Sequence, residues 1–380
     1  MRVGFFTEVY HPVVNGIVAS VDALAAGLRR LGHDVYCFTP HVPGYEERDG
    51  PVYRIPSLPL PVQAPYRLTV PVVSRRNRRA VINRLHIVHA HSPFVTGWMA
   101  VRYARRLRLP LVYTYHTQLE EYAHYVPFEP NATRFAAVTL TRNFANSADA
   151  VIVPTGVMGE RLRELGVTVP VEVIPSGIDL EHFAAGRRSE KVRSALGVRN
   201  GERMLFFVSR LAREKNAAVL IDALARCTVP ARLVIAGDGP ERQALEERAA
   251  QAGVTERTVF MGGVDREGLP NLYASADAFV FPSVTETQGL VLAEALAAGC
   301  YVIAANAQQN REVLAGAGAL VDATPGAFAA AIEALPFPPR PAVSMVARSA
   351  AAAFGIERTV GRVLAVYEGL HARRADAGIH

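Results

Sequence analysis

Short apolar segments alternate with segments of helical periodicity along both halves of the chain, and this alternation constrains the fold more than any other feature. Such an order predicts parallel strands joined by helices, the pattern of a doubly wound α/β sheet. The predicted strands are residues 3–6, 35–39, 87–90, 111–114 and 151–154 in the first half, and 204–209, 232–236, 258–260, 278–281 and 301–305 in the second. The predicted helices of the first half are 18–31, 96–108 and 134–146.

The chain is long enough for two such domains, since its 380 residues are 50% hydrophobic and 20% charged. We expect one Rossmann-like domain over 1–176, joined by a C-terminal crossover helix at 355–380, and a second over 177–354. Ligands of these sheets bind at the carboxyl ends of the strands, so a cleft between two facing domains is the expected site. Neither half has GxGxxG after its first strand, which argues against a dinucleotide dehydrogenase.

Two further observations bear on where the protein works. No apolar run approaches the roughly 18 residues that span a membrane, and the first eight residues are typical of a strand rather than a signal peptide. The three cysteines, Cys37, Cys227 and Cys300, are scattered without metal-ligand spacing. We therefore expect a protein of the reducing cytosol.

The positive charge lies in the first half. Residues 1–176 contain 19 Arg and no Lys against 13 acidic residues, whereas the second half is neutral. A cluster follows the Pro-rich, partly apolar segment 58–68, and this arrangement suits an anionic membrane surface, although a solvated helix face is an open alternative. Nucleic acid is disfavoured, since no recognition motif occurs. The cluster consists of Arg75, Arg76, Arg78 and Arg79.

Two carboxylates flank a predicted helix start near residue 288 or 289. Glu286 precedes the helix and Glu294 lies inside it, on the order of 10 Å away. Between them, the amide groups of Gly289, Leu290 and Val291 form an anion site. The order of carboxylate, anion site and carboxylate matches the sugar, diphosphate and ribose of a nucleotide sugar. A surface pair of glutamates is the alternative, and a retaining glycosidase is disfavoured because its carboxyls lie about 5 Å apart.

Other loops offer groups for a diphosphate. Arg210 and Lys215 follow a predicted strand and could clamp it, although solvated loop charges are equally expected. Gly16, after Asn15, would let backbone amides approach a phosphate, unless the pair is an ordinary turn. Asp-x-Asp is absent, so we expect cations and helix ends, with no metal and no cofactor, to neutralise the diphosphate.

Histidines follow two predicted strands of the first half. His89 and His91 could hold a metal, but no third ligand completes the set, and a hydrogen bond within their loop is the alternative. His116 follows a strand directly and should point toward the cleft. Glu120 and Glu121 could orient His116 or contact an acceptor.

In this order the motifs resemble glycosyltransferase family 4 of the GT-B fold, over nearly the whole chain. The resemblance implies metal-free, retaining hexose transfer from a nucleotide sugar. It also implies that Arg210 and Lys215 bind the diphosphate, Glu286 the sugar and Glu294 the ribose, while Gly16 lines the phosphate from the opposite domain. The motifs are Asn15-Gly16, Ile174-Pro175-Ser176-Gly177-Ile178-Asp179, residues 209–216, Ala236-Gly237-Asp238-Gly239-Pro240 and the Glu286/Glu294 spacing.

A narrower similarity is to enzymes that glycosylate diacylglycerol. Residues 15–20, the segment from Tyr115 to Tyr125 and the Glu-Thr-Gln-Gly loop at Glu286 are similar to that branch, whereas His86 and Ser209 depart from the family pattern. This similarity implies transfer from UDP-glucose or UDP-galactose to a lipid acceptor at the inner face of a membrane, with His116 contacting the sugar. A GDP-mannose donor, another acceptor, a UDP-sugar epimerase and a non-catalytic sensor remain alternatives. The oligomeric state is not predicted.

Overall fold

The chain divides into two compact units in the computed structural model, which describes residues 1–47, 50–60, 66–74, 77, 81–125, 128–337 and 341–376. Unit 1 consists of Met1–Gly177 and Ile356–His380, and unit 2 of Ile178–Gly355. Each unit contains its own parallel sheet. Two Rossmann-like α/β units confirm the predicted fold class.

Unit 1 contains a seven-stranded parallel sheet. Its strands in chain order are β1 (Arg2–Phe6), β2 (Asp34–Pro40), β3 (Val52–Ile55), β6 (Ile87–Ala90), β7 (Leu111–Thr114), β8 (Ala150–Val153) and β9 (Val171–Val173), with β4 (Ser57–Pro59) and β5 (Arg67–Thr69) forming a separate antiparallel pair. The order across the sheet is β3-β2-β1-β6-β7-β8-β9. The helices are α1 (Gly16–Arg30), α2 (Val95–Leu107), α3 (Pro130–Ala145), α4 (Gly156–Glu164) and the C-terminal helix Ile356–Asp376, with 3₁₀ turns at Ile82–Arg84 and Leu119–Tyr125.

Central strands of this sheet are continuous apolar runs because helices cover both of their faces. Every residue of β6, β7 and β8 is buried. His89 in β6 and Thr114 in β7 are polar exceptions. A buried polar side chain needs a hydrogen-bond partner, so these exceptions indicate a polar contact inside unit 1.

The C-terminal helix packs within unit 1. The hydroxyl of Thr359 donates to the carbonyl oxygen of Pro175 at 2.9 Å, and the guanidinium of Arg374 pairs with Asp149 at 2.9 Å. Buried apolar side chains of the same helix, such as Val360 and Val363, join the core that contains β1 and α1. The chain therefore returns to the first unit after completing the second.

Unit 2 contains a six-stranded parallel sheet in the order β12-β11-β10-β13-β14-β15. Its strands are β10 (Arg203–Val208), β11 (Ala231–Ala236), β12 (Thr258–Gly262), β13 (Ala278–Phe281), β14 (Val302–Ala305) and β15 (Gly318–Val321). Its helices are α5 (Leu180–Ala184), α6 (Glu190–Ala195), α7 (Ala218–Arg226), α8 (Arg242–Gln251), α9 (Leu269–Ser275), α10 (Leu290–Ala297), α11 (Gln308–Leu314), α12 (Pro325–Glu333) and α13 (Pro341–Ala351), with 3₁₀ turns at Arg213–Lys215, Thr255–Arg257, Arg266–Gly268 and Ala352–Phe354.

Each sheet reverses its strand order at one point. In unit 1 the reversal lies between β1 and β6, and in unit 2 between β10 and β13. A crevice outside the carboxyl ends of the strands forms at such a point, and it is where open α/β sheets bind ligands. The loops that follow these four strands contain candidate site residues such as Gly16, Arg210 and Glu286, and His116 follows the neighbouring strand β7.

The helices were also compared with the requirements for spanning a membrane. None of the helices in the described part of the chain combines the length and the apolar character needed to cross a membrane.

Candidate functional site

The loops after β10 and β13 bring one of the two predicted cations of unit 2, Lys215, together with the first predicted carboxylate, Glu286. Nζ of Lys215 lies 2.5 Å from Oε1 of Glu286, and Nη2 of Arg210 lies 3.0 Å from Oε1 of Glu214. Glu214 was missed by the sequence reasoning, although it lies within the motif that contains both cations. Each cation is thus paired with a carboxylate in this structure.

A glycine turn supports the Arg210 loop. Gly237 has φ +126°, and a Cβ on it would lie 1.9 Å from the carbonyl oxygen of Ser209, so only glycine fits there. The amide of Leu211 donates to the carbonyl of Asp238 at 2.9 Å, and the amide of Glu241 donates to the carbonyl of Leu211 at 3.0 Å. The motif Ala236-Gly237-Asp238-Gly239-Pro240 therefore holds the loop that presents Arg210.

Two amide side chains of α11 hold the loop that contains Glu286. Nε2 of Gln309 donates to the carbonyl of Val284 at 2.6 Å. Nδ2 of Asn310, which is fully buried, donates to the carbonyls of Ser283 and Ala305, each at 2.9 Å. Sequence reasoning missed both residues, although adjacent amides just after a buried strand could have indicated them.

Helix α10 begins directly after this loop, within two residues of the predicted start. Gly289 is its N-cap with φ +80° and ψ +74°, a left-handed conformation that strains other residues. Leu290 and Val291 occupy the first turn. As in any helix, the first amide groups have no acceptor within the helix, so this end can receive an anion.

Glu294 differs sharply from Glu286 in its surroundings. It is only 5% exposed, its Oε2 accepts a hydrogen bond from the Tyr273 hydroxyl at 3.1 Å, and Nη2 of Arg266 lies 3.7 Å from Oε1. Burial raises the pKa of Glu294, while Arg266 and Tyr273 oppose that effect. The alternative of two surface glutamates is therefore wrong for Glu294.

In unit 1, Glu8 joins the segments at the carboxyl ends of β1 and β6. Its Oε2 accepts hydrogen bonds from the amide and the hydroxyl of Thr96, each at 2.8 Å, and its Oε1 accepts one from Thr69. A carboxylate at the first turn of α2 stabilises that helix end. Sequence reasoning did not assign Glu8 this contact.

Gly16 lies at the start of α1. Oδ1 of Asn15 accepts a hydrogen bond from the amide of Val18 at 2.9 Å, so Asn15 is the N-cap and Gly16 is the first helical residue. The alternative of an ordinary turn is therefore wrong, because the pair begins a helix. A phosphate contact of Gly16 stays a prediction.

Three histidines of unit 1 stack beside these strand ends. His89 lies within β6, so the expected hydrogen bond in a loop is wrong for it: Nδ1 lies 2.5 Å from the Tyr367 hydroxyl and Nε2 lies 2.7 Å from Oγ1 of Thr114. Nδ1 of His91 lies 3.1 Å from Nε2 of His116. Burial lowers the pKa of His89 to about 3 and that of His116 to about 4.

Tyr115 and Glu120 are buried in unit 1, not at its surface. Oε1 of Glu120 lies 3.2 Å from Nε of Arg161, and Glu121 pairs with Arg134 at 3.6 Å. Both Tyr115 and Glu120 are thus enclosed by other residues of unit 1. Their contact with an acceptor stays a prediction.

The arginine cluster predicted at a membrane surface, Arg75, Arg76, Arg78 and Arg79, lies outside the described residues. The possible metal site considered from the sequence was at His89 and His91, in unit 1. Within the ranges that the structure covers, no group of three or more His, Cys, Asp or Glu side chains is arranged to hold a metal ion. Both nitrogens of His89 have other partners.

A small pocket lies at the carboxyl ends of β1 and β2 in unit 1. Oγ1 of Thr39 lines it, is buried and has no hydrogen-bond partner among the described residues. An unpaired buried hydroxyl is a group that a ligand or water could satisfy. The other lining residues are Glu8, Val9, Tyr10, Val13, Pro40, Val42, Arg54, Tyr66 and Arg67.

Family models match both units. The model described as Glycosyltransferase Family 4 matches residues 14–182, and that described as Glycosyl transferases group 1 matches residues 188–336. Together the two matches cover most of the chain. Their boundary falls near the division between unit 1 and unit 2.

Relatives with known names are similar over most of their length. The chain is 34% identical to the alpha-monoglucosyldiacylglycerol synthase of Streptococcus pneumoniae over 80% of this chain and 71% of the relative. It is also 34% identical to the Acholeplasma laidlawii enzyme of the same name, over 80% of each. A GDP-mannose-dependent alpha-mannosyltransferase of Corynebacterium glutamicum is 31% identical over 79% of this chain and 71% of the relative.

Solved structures show the same fold at lower identity. Sucrose-phosphate synthase from Thermosynechococcus elongatus aligns with a TM-score of 0.78 and 21% identity, covering 98% of this chain and 99% of that chain. Anabaena HepE, solved in complex with UDP-glucose, aligns with a TM-score of 0.75 and 21% identity, covering 97% and 100%. These likenesses concern the fold.

Proposed function

We propose that this chain, which belongs to glycosyltransferase family 4 and is a glycosyltransferase, moves glucose from UDP-glucose to diacylglycerol. The observation that most supports the proposal is the Lys215–Glu286 pair at the switch point of unit 2, with Arg210 in the same loop as Lys215 and α10 beginning four residues after Glu286. The acceptor is inferred from the names of relatives at 34% identity.

In this proposal unit 2 binds the donor. The diphosphate takes the place of carboxylates at Arg210 and Lys215 and accepts hydrogen bonds from the first amides of α10. Glu286 is then released to contact the sugar hydroxyls, and the buried carboxylate of Glu294 binds the ribose hydroxyls. The positive charges of Arg210 and Lys215 favour departure of the diphosphate, because negative charge develops on the diphosphate in the transition state.

Unit 1 provides the acceptor site in this proposal. The pocket beside Glu8 and Thr39 has apolar walls of Val9, Val13 and Val42, together with a buried hydroxyl that no described residue bonds. A glycerol hydroxyl with adjoining ester groups matches that mixture of polar and apolar lining. The enzyme would meet its lipid as a peripheral protein, with the first half providing the positive charge toward anionic headgroups.

A second candidate is mannosyl transfer from GDP-mannose. A Mycobacterium tuberculosis relative at 31% identity, whose match covers 96% of this chain and 95% of the relative, is named a GDP-mannose-dependent phosphatidylinositol dimannoside mannosyltransferase. Apart from Glu286, which contacts the sugar in this proposal, the donor residues argued above contact diphosphate and ribose, which both donors share. The sugar and the base therefore have to be identified by experiment.

The proposal includes retention of the anomeric configuration and independence from metal ions. Labelled UDP-glucose, UDP-galactose and GDP-mannose are each incubated with the protein, EDTA and vesicles of diacylglycerol and anionic lipid. We expect labelled α-glucosyldiacylglycerol from UDP-glucose alone, with the α configuration assigned by NMR. A mannolipid would favour the second candidate, an altered free nucleotide sugar would indicate an epimerase, and donor binding without any product would indicate a sensor.

A further inference from the structure

Three histidines of unit 1 form one stacked row. The rings of His89 and His91 lie 4.2 Å apart at 30°, and those of His91 and His116 lie 5.4 Å apart at 28°. Phe5 packs edge-on against His89 and His91. The strands explain the row. His89 and His91 are two residues apart, so their side chains lie on one face of the strand. Strands β6 and β7 are parallel neighbours, so His91 and His116 follow them at the same edge of the sheet.

Two of the three histidines are held in place at the carboxyl end of β6. His89 is held by Tyr367 and Thr114, as described above, and the amide of His91 donates to the carbonyl of Phe6 at 2.8 Å. His91 is 2% exposed. Its imidazole therefore has a fixed position from which it can act on His116.

All three rings are neutral in the folded protein at ordinary pH. Burial is the main cause, and it lowers the pKa of His91 well below 6.5, with the neighbouring His89 and His116 adding to the effect. A neutral imidazole has one N–H and one nitrogen without a proton. The contact between Nδ1 of His91 and Nε2 of His116 thus has one donor, and either ring could supply it.

The second nitrogen of His91 decides between these two arrangements. Nε2 of His91 is buried and makes no hydrogen bond to any described residue. A buried N–H group without an acceptor is rarer and more costly than an unprotonated nitrogen without a donor. The proton of His91 is therefore assigned to Nδ1, where it has an acceptor in His116.

We propose that His91 is a positioning residue, which donates a hydrogen bond from Nδ1 to Nε2 of His116 and thereby fixes the proton of His116 on Nδ1. This inference rests on the proposed function only where it assigns a role to His116. With its Nε2 lone pair engaged and Nδ1 protonated, His116 has no nitrogen available as a base. His116 therefore does not remove the proton of the acceptor, and its proposed contact with the sugar is one of orientation.

The test measures the tautomer of His116 directly. Protein labelled with ¹⁵N at histidine is observed by long-range ¹H–¹⁵N correlation, and the His116 signal is identified by its loss in His116→Gln. We expect the wild type to show His116 protonated at Nδ1. His91→Asn keeps an N–H donor close to the position of Nδ1 and should retain that tautomer, whereas His91→Leu should release Nε2 and let His116 protonate there.

Activity provides a second readout. We expect His91→Leu to lower kcat/KM roughly ten- to hundredfold through loss of His116 orientation, and His91→Asn to restore most of it. His41→Asn, at an exposed position, is the matched control for removing a histidine. Thermal melts of each variant show whether it is folded.

Two results would overturn the inference: His116 protonated at Nε2 in the wild type, or an unchanged His116 tautomer in folded His91→Leu. These results do not depend on catalysis. If the tautomer is as expected but no donor is turned over, the proposed function fails while the positioning role of His91 stands. If transfer occurs with the opposite tautomer, only the positioning role fails.

Discussion

Lys215 and Glu286 are 71 residues apart in the sequence, yet Nζ of the lysine lies 2.5 Å from Oε1 of the glutamate. Their side chains are 17% and 15% exposed. The ion pair joins the loop after β10 to the loop after β13, at the point where the sheet of unit 2 reverses its order. The same lysine is proposed to neutralise a donor diphosphate, so we expect donor binding to break this ion pair.

Replacing Lys215 with Gln should therefore weaken the donor complex. We expect kcat/KM for the nucleotide sugar to fall by about a hundredfold, because one preorganised cation at the leaving group is lost. Titration calorimetry with UDP and steady-state kinetics measure the two effects. Lys191 is the other lysine of the chain and is exposed, which makes Lys191→Gln a matched control. Unchanged UDP affinity and turnover in Lys215→Gln would contradict the donor site.

Glu294→Gln should stabilise the protein while it impairs donor use. Because burial raises the pKa of Glu294 above 4.5, the folded protein retains this proton at pH values where the unfolded chain has lost it. The folded state thus loses stability as pH rises from about 4.5 through the raised pKa. Gln stays neutral, nearly preserves the shape and can still accept the hydrogen bond of Tyr273.

We accordingly expect a higher Tm for Glu294→Gln at pH 7, by roughly 2–4 °C for each kcal/mol gained in a unit of this size. The advantage should shrink as pH is lowered toward 4.5. Thermal melts across this range, with the exposed Glu181→Gln of α5 as control, measure the difference. A variant less stable than the wild type at pH 7 would show that the charge of Glu294 is well compensated by Arg266.

The histidine row should make unit 1 sensitive to acid. Burial lowers the pKa values of His89, His91 and His116, so below pH 6.5 the unfolded chain binds protons that the folded protein does not. The contribution of the three histidines to the free energy of unfolding should therefore be fully present above about pH 6.5, and it should decrease as pH falls toward 4. Urea unfolding at several pH values tests this, and His91→Asn should have a shallower slope than the wild type or His41→Asn. Equal slopes would argue against a buried neutral row.

Glu8 should contribute to stability through its hydrogen bonds with Thr96 and Thr69. We expect Glu8→Ala to lower the free energy of unfolding by roughly 1–3 kcal/mol, because the capped amide of α2 and two hydroxyls lose their acceptor. Urea unfolding measures the change. Glu46→Ala, at an exposed position, is the control and should have little effect. Equal stability of Glu8→Ala and the wild type would show that water replaces the carboxylate.

Much of the fold could be predicted from the sequence because it depends on local patterns. The central strands of both sheets lie within two residues of the predicted positions, since helices on both faces require continuous apolar runs. The edge strands β3, β9 and β15 were missed. Their residues are mostly half-buried or exposed, so their apolar signal is weak.

The candidate site divides in the same way. The motif residues Arg210, Lys215, Glu286 and Glu294 could be selected because each lies in a recognisable local sequence. Their partners could not be: nothing local in the sequence associates Glu294 with Tyr273, or His89 with Tyr367, which is 278 residues away.

The sequence by itself determined which segments form strands, helices and glycine turns, because backbone preference and apolar periodicity act over a few residues. Only the tertiary structure decided that Glu294 is buried, that Lys215 is paired with Glu286 and that His91 contacts His116. Burial and hydrogen bonding depend on the order of strands in each sheet, which sets the neighbours of a side chain. That order results from packing across the whole unit, and it is not specified by any single local pattern.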